Sequence, residues 1–354
     1  MPDRAADPAR LLVLAPNWLG DAVMALPAIA DLRRRWPAAR LTVAARASVA
    51  PVFELAGSVD GVMTLQWKGR VLDRATLRAD VTGLREGRFD AAVLLPNSFA
   101  SAWLTRRAGV PERWGYARDW RSPLLTRAVP KPGVSLHQGA YYQHLVRELG
   151  APSGPLEAVL TVSGSDLEAA RTLLTARGWD TARRLIALAP GAAYGTAKRW
   201  LPAHFATLVS ALVREHGVTC VLVGGPADAG ATGLVRDALR ADVRPHVIDL
   251  AGATTLRALA GVLALAEVCV SNDSGSMHLA AALGVRVVAL FGPTREKETA
   301  PLSRVVTPAT VLVHEVWCRP CMLRECPIDH RCMTGLLPAR VLTAVTEALP
   351  EATA

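Results

Sequence analysis

The sequence predicts an α/β protein built as two doubly wound domains, each a parallel sheet with helices on its faces. Three observations predict it. Short β-rich apolar runs alternate with helix-patterned segments along the whole chain. At 354 residues the chain exceeds the size at which a single hydrophobic core keeps growing. Proline, glycine and serine concentrate near the middle, in LGAPSGPLEAVLTVSGSD at residues 149–166, which is the composition of a domain joint.

In the first half, apolar runs at residues 11–15, 41–45, 62–65 and 91–95 read as buried strands. Between the first two, residues 21–36 are apolar at Val23, Leu26, Ile29, Ala30 and Leu32. They end on Arg33, Arg34 and Arg35, where cations suit the carboxyl end of a helix. Pro27 inside this pattern predicts a kink or the start of a second helix. The second half repeats the scheme, with strands at 185–189, 220–223, 247–250, 268–271 and 287–290 and helices near 203–215, 230–241 and 255–263. The expected domains are therefore 1–160 and 161–335, followed by a carboxyl-terminal helix within 336–354.

Composition removes several function classes. With 51% hydrophobic and 20% charged residues the chain is globular, and no run approaches the roughly 18 apolar residues of a membrane span. The first apolar run breaks after about five residues at Asn17, Trp18, Gly20 and Asp21, so it reads as a strand and not as a signal peptide. A cytoplasmic address is expected, where the six cysteines stay reduced. The net charge of +9 is densest at Arg33 to Arg35 and between Arg113 and Arg127. These clusters are either solvated helix ends and loops or an attraction for an anionic partner. No zinc finger, aromatic RNA-binding motif or recognition helix accompanies them, so no nucleic-acid partner is expected.

Doubly wound domains gather ligands at the carboxyl ends of their strands, and two facing each other would share a central cleft. The loops after the strands are thus the places to look for chemistry. After the first strand comes PNWLGDAVMALPA, where Asp21 stands at a helix start. It is either an N-cap or a general base whose pKa the helix dipole lowers. After the first strand of the second half comes APGAAYGTAKRWLPAHFA, in which small residues expose backbone N–H groups beside Lys198 and Arg199. That loop suits a phosphate, or is a tight surface turn with solvated cations. VLVGGPADAGATG lacks the dinucleotide fingerprint, and its Asp228 is a helix cap or an acceptor for a ribose or adenine group. VSNDSGSMHLAAALG runs from a strand straight into a helix through Asp273, Ser274, Gly275, Ser276, Met277 and His278. Either Ser274 or Asp273 caps that helix, or its free N–H groups hold an anion. In the second case Asp273, which would repel a phosphate, fits the hydroxyls of an attached sugar. Together these loops describe a nucleotide-diphosphate site behind the joint and an acceptor site with Asp21 before it, the layout of a two-domain glycosyltransferase.

NWLGD, LLPNSFASAW, PGAAYGTAKRW and SNDSGSMHLAAALGVRVVALFGPT in this order resemble the ADP-heptose:lipopolysaccharide heptosyltransferases, glycosyltransferase family 9, and most closely their heptosyltransferase II branch. The likeness extends from about Leu11 to Leu349. It implies the GT-B fold, two Rossmann-like domains facing a cleft, and inverting transfer of L-glycero-D-manno-heptose from ADP-heptose to the lipopolysaccharide inner core without an essential metal. It further implies Asp21 as general base and Lys198 as the cation on the departing diphosphate. Asp273 would contact the heptose, Ser274 to His278 the phosphates, and Asp228 the adenosine. The acceptor is anionic and lies at the inner membrane face, so peripheral membrane contact is implied, with the 113–127 cations drawing the acceptor in. A sugar-nucleotide epimerase on a similar scaffold, a relative with a different acceptor, and a non-catalytic nucleotide-sugar binding protein are the alternatives.

One motif stands outside this scheme. CRPCMLRECPIDHRCM, residues 318–333, brings Cys318, Cys321, Cys326 and Cys332 together with His330. Four thiols at this spacing read as structural zinc or an iron–sulfur centre, as reduced structural thiols, or as disulfides.

Overall fold

The computed structural model describes residues 7–69 and 73–350. The outer limits expected for the first domain, at residue 1, and for the carboxyl-terminal segment, at residue 354, lie outside the described residues. The chain forms two compact units that meet at Leu160 and Thr161.

Unit 1 is a six-stranded parallel sheet of β1 (Arg10–Leu14), β2 (Arg40–Arg46), β3 (Gly61–Leu65), β4 (Ala91–Leu94), β5 (Glu112–Tyr116) and β6 (Arg127–Val129), in the order β3-β2-β1-β4-β5-β6. Central β1 pairs on both sides, Val13 facing Val43 and Val93, and its Leu11, Leu12 and Val13 are fully buried. Such strands read as unbroken apolar runs because helices cover both faces. Pro27 begins a new helix instead of kinking one. Leu19–Met24 ends, and Leu26–Arg35 starts with the proline in its first turn, where its missing N–H is no loss.

Unit 2 repeats the architecture with β7 (Leu185–Ala189), β8 (Thr219–Leu222), β9 (Val247–Asp249), β10 (Val268–Asn272), β11 (Arg286–Phe291) and β12 (Thr310–Val313). Its order is β12-β11-β10-β7-β8-β9, all parallel, with Val270 facing Leu188 and Val288. Counted within each unit, both sheets have the doubly wound order 3-2-1-4-5-6. That order reverses between β1 and β4 in unit 1 and between β7 and β10 in unit 2. Connections leave such a pair toward opposite faces, which opens a crevice at their carboxyl ends. A helix at Pro338–Ala348 packs on the unit 2 core through Val341 and Val345.

Sequence reading missed β5, β6 and β12. The first two are short strands rich in charge, and the charge has a structural use. Arg121 is fully buried and donates to the Tyr116 carbonyl at 2.9 Å, to the Pro96 carbonyl, and to Ser101 Oγ at 3.1 Å. It ties the end of β5 to the loop after β4, and burial pushes its pKa down to about 10. Arg113 donates to the Leu124 and Val110 carbonyls at 2.7 and 2.6 Å, and Arg127 to that of Glu148. In the other cluster Arg33 donates to the Ala39 carbonyl at 2.7 Å and pairs with Asp60, while Arg34 pairs with buried Asp31. Within the 113–127 cluster, Arg121 is thus turned into the fold, and Arg113 and Arg127 also donate to backbone carbonyls. Among the described residues no helix is long and apolar enough to cross a membrane.

Replacing Arg121 with methionine fills similar volume but leaves the Tyr116 and Pro96 carbonyls without their donor. The expected cost is about 2–4 kcal/mol, read by calorimetry as a melting midpoint roughly 5–10 °C lower.

Candidate active site

The unit 2 crevice is shaped by one amide. Asn272 ends β10, and its buried side chain donates through Nδ2 to the Pro190 carbonyl at 2.8 Å and accepts the Trp200 N–H through Oδ1 at 3.0 Å. Both ends of the loop after β7 are thereby pinned to the neighbouring strand. Trp200 anchors the far end, buried edge-on against Phe205 with centroids 4.9 Å apart and donating from its indole to the Leu336 carbonyl at 2.7 Å. Inside the loop, a turn of 3-10 helix at Thr196–Lys198 aims Lys198 back at the strand end.

Lys198 Nζ lies 2.6 Å from Asp273 Oδ2, and the same oxygen accepts Thr294 Oγ1 at 2.6 Å. Both partners are largely buried, with side-chain exposures of 13% and 5%. The two residues that sequence reading assigned separately, Lys198 to phosphate and Asp273 to sugar, are thus one ion pair. Tyr194 adds its ring face 4.9 Å from the ammonium, a cation–π contact.

Beside the pair, the helix Gly275–Ala282 starts without a side-chain cap. Ser274 occupies the N-cap position and makes no capping hydrogen bond; its hydroxyl lies 3.0 Å from that of Ser271 instead. The first-turn N–H groups at Gly275, Ser276 and Met277 therefore carry the positive end of the helix dipole with no side chain of the cap on them. Ser274, Gly275 and Ser276 are half-buried, whereas the Met277 and His278 side chains turn into the core. What Met277 can offer a ligand is its backbone N–H. Asp228 caps its own turn, accepting the Gly225 N–H at 3.0 Å, and its carboxylate fills the space where Gly191 and Gly224 carry no side chain. Any larger residue at Gly191 would displace it.

The cysteine-rich segment braces this loop. The Tyr194 hydroxyl donates to the Met322 carbonyl at 2.8 Å, the Ala197 N–H to the Arg324 carbonyl at 2.9 Å, and His330 Nε2 to the Ala197 carbonyl at 2.7 Å. The carbonyl acceptor requires the proton on Nε2. Gly195 lies against the Arg324 backbone with no room for a Cβ. Arg319 holds the strap from behind, donating to the Gly292 and Thr294 carbonyls at 3.0 and 3.2 Å and pairing with Glu296 at 2.8 Å.

The zinc and iron–sulfur expectation for Cys318, Cys321, Cys326 and Cys332 is corrected here. All six cysteines are free thiols, and among the described residues no three His, Cys, Asp or Glu side chains converge as metal ligands. Cys332 is buried behind Gly292, its thiol pushed up to about 11 by burial and by the other three sulfurs, while Cys321 is exposed.

In unit 1, Asp21 is the third residue of the helix Leu19–Met24, half-buried, with Trp18 as the N-cap residue. The N-cap reading of Asp21 is therefore replaced by a first-turn carboxylate. This helix packs on the helix Gln138–Glu148. Burial chiefly, and the Asp21 charge in addition, hold the Tyr142 phenol well above its usual range. Across the β1/β4 reversal, Asn97 donates to the Tyr141 hydroxyl at 3.0 Å, and the Tyr116 hydroxyl donates to the Tyr141 carbonyl at 2.7 Å. His144 Nδ1, 2.9 Å from that hydroxyl, is then the donor to it, since the Tyr116 proton is already engaged.

Asn272, Thr294, Tyr194 and Asn97 escaped sequence reading. Thr294 had a usable signal, since it follows the apolar run 287–290 in the same strand-end position as the residues that were singled out. The bracing of Tyr194 by the strap had none, because Met322 lies more than a hundred residues away.

Residues 78–331 match the family described as Glycosyltransferase family 9 (heptosyltransferase). The chain is 33% identical over 304 residues to lipopolysaccharide heptosyltransferase 2 of Salmonella typhimurium, covering 83% of this chain and 86% of that protein. Among solved structures it superposes on ADP-heptose lps heptosyltransferase II of Escherichia coli with a TM-score of 0.83 and 29% identity, covering 96% of this chain and 98% of the other. A family 9 glycosyl transferase of Veillonella parvula gives the same TM-score of 0.83 at 21% identity, over 96% and 97% of the two chains, a likeness of fold.

Two measurements test the site as built. Lys198→Met strips a buried carboxylate of its cation and should destabilise the protein by about 3 kcal/mol in urea. Adding Asp273→Asn, whose amide still accepts from Thr294, should recover most of that loss. Thiol labelling at pH 8 should modify Cys321 first and spare Cys220 and Cys269 until unfolding, because burial pushes both of the latter up to about 12.

Proposed function

The chain belongs to glycosyltransferase family 9, and from that premise we propose that it transfers L-glycero-D-manno-heptose from ADP-heptose to the inner core of lipopolysaccharide, with inversion at the anomeric carbon. It is a glycosyltransferase with the GT-B fold, two doubly wound α/β domains. The observation that carries the substrate reading is the Lys198–Asp273 pair beside the helix start left uncapped at Ser274. A diphosphate demands cations and N–H donors, and the sugar joined to it demands a hydroxyl acceptor. Both requirements meet here within one ion pair.

In this reading ADP departs from a carbon that becomes oxocarbenium-like, and negative charge grows on the diphosphate. Lys198 and the N–H groups of Gly275, Ser276 and Met277 answer that charge, stabilising the transition state beyond the ground state. Asp273 holds sugar hydroxyls through the oxygen that Thr294 does not engage, and Asp228 serves the adenosine side. Asp21 takes the proton of the attacking acceptor hydroxyl. The acceptor-bearing unit works at the cytoplasmic face of the inner membrane, in peripheral contact with it. The Salmonella and Escherichia coli relatives reported above are named as heptosyltransferases, which favours transfer over sugar-nucleotide epimerisation.

Incubation with ADP-heptose and a panel of truncated core acceptors, with mass detection of the product, tests the activity and identifies the acceptor. Asp21→Asn should lower kcat by about 10²–10⁴-fold while ADP binding survives, and Lys198→Ala should weaken both. An Asp21→Asn enzyme of wild-type activity would remove the base assignment.

A further inference from the structure

The Lys198–Asp273 pair leaves a charge problem in the unit 2 crevice. Its partners lie 2.6 Å apart and cancel one another, so Lys198 offers a diphosphate hydrogen bonds and orientation but little net charge. The uncapped start of the helix Gly275–Ala282 adds the equivalent of about half an elementary charge. A diphosphate ester carries a negative charge on each phosphorus. Full compensation calls for a further cation within reach of the pair, and that cation has to be free of any carboxylate of its own.

The Tyr194 ring carries such a cation beside Lys198. Lys198 Nζ lies 4.9 Å from the ring centroid, and the Arg324 guanidinium carbon lies 5.2 Å from the same centroid. Arg324 belongs to the cysteine-rich strap, and backbone atoms fix its place. Its carbonyl accepts the Ala197 N–H at 2.9 Å, and Gly195 lies against it too closely for a Cβ. The ring is fixed as well, by the bond from its hydroxyl to the Met322 carbonyl at 2.8 Å. The Arg324 side chain is treated differently from its main chain. It is exposed, and among the described residues it makes no hydrogen bond and no ion pair, adjacent Glu325 included. The nearby carboxylate of Asp329 is taken by Arg331 at 2.7 Å. A guanidinium lying on an aromatic ring keeps its edge N–H groups available, so the donors of Arg324 are held beside the ion pair and left unused.

We propose that Arg324 is a diphosphate-binding residue of unit 2, its guanidinium bonding the non-bridging oxygens of the nucleotide sugar beside Lys198 and the N–H groups of Gly275, Ser276 and Met277. A planar fork of donors matches two phosphate oxygens at once, which a lysine cannot do. An exposed side chain also brings its charge to the ligand without first having been desolvated in the empty protein. The inference rests on the nucleotide-sugar reading of this crevice and deepens it. The strap of cysteines becomes part of the binding surface as well as a brace behind the loop, and its tight backbone seam against Gly195 and Ala197 sets where the second cation stands.

The test uses the full-length protein and calorimetric titration with ADP, adenosine and inorganic pyrophosphate. Arg324→Gln should raise the ADP Kd roughly tenfold and leave that of adenosine within about twofold of wild type. Arg324→Lys, which keeps the charge and loses the fork, should recover part of the loss. The brace uses the Arg324 carbonyl and not its side chain, so both variants retain it, and their melting midpoints should stay within about 1 °C of wild type. An ADP Kd unchanged in Arg324→Gln, or adenosine weakened as much as ADP, overturns the proposal. Wild-type protein that binds no ADP counts against the nucleotide reading instead, and pyrophosphate then decides. Weaker pyrophosphate binding in Arg324→Gln supports the phosphate role of Arg324, and equal binding, or none in wild type, overturns it.

Discussion

The Asn272 carboxamide accepts from Trp200 and donates to Pro190, closing residues 190–200 onto the end of the adjacent strand. A loop pinned at both ends has few shapes left, and the entropy of ordering it is met by the fold before any ligand arrives. That constraint allows an ammonium to sit 2.6 Å from a carboxylate at the mouth of a crevice without wandering into solvent. Take the amide away and the glycines of that loop become ordinary flexible glycines. Their lack of side chains is useful only because the chain around them is held, as at Gly191, where the Asp228 carboxylate occupies the vacant volume.

The same sheet topology serves different chemistry in the two units. In unit 2 the reversal point collects charge: a lysine, an aspartate and the positive end of a helix. In unit 1 it collects an amide, a network of tyrosines and a single carboxylate. The division follows from the partners each unit is proposed to meet. A diphosphate leaving group needs charge compensation that grows along the reaction coordinate. A sugar hydroxyl needs orientation and a base. The arginines of unit 1 have a structural use that composition does not reveal. A dense basic stretch looks like an anion-binding surface, but a guanidinium with five donors is also an efficient staple for carbonyls at sheet ends, and Arg121 and Arg113 are used in that way.

Much of the fold was legible because parallel strands buried on both faces are written as uninterrupted apolar runs. Nine strands were readable on that basis, β1 to β4 and β7 to β11. The strands β5 and β6 were not, since ERWGY and RAV carry charge and lie toward one margin of the sheet. The strand-end loops were legible for a related reason, the abrupt change from apolar to small and polar residues. Asp273 and Lys198 could be singled out separately, but their pairing could not, because it depends on a loop folding back across 75 residues of sequence. Four cysteines and a histidine within sixteen residues looked like a metal ligand set. Their actual arrangement follows from burial: Cys332 joins the core, and the His330 ring is committed to a carbonyl.

That commitment reaches into heredity. The shape of the Lys198 loop is specified by backbone atoms of Met322 and Arg324 and by the ring of His330, all encoded more than a hundred codons downstream. The two stretches form one inheritable module, despite the helices and five strands between them. A recombinant that exchanged the glycine loop alone with a homologue would receive a lysine without the scaffold that aims it. Productive shuffling therefore has to carry residues 190–200 and 318–330 together, which ties the drift of an otherwise unremarkable surface segment to that of the ion pair it supports.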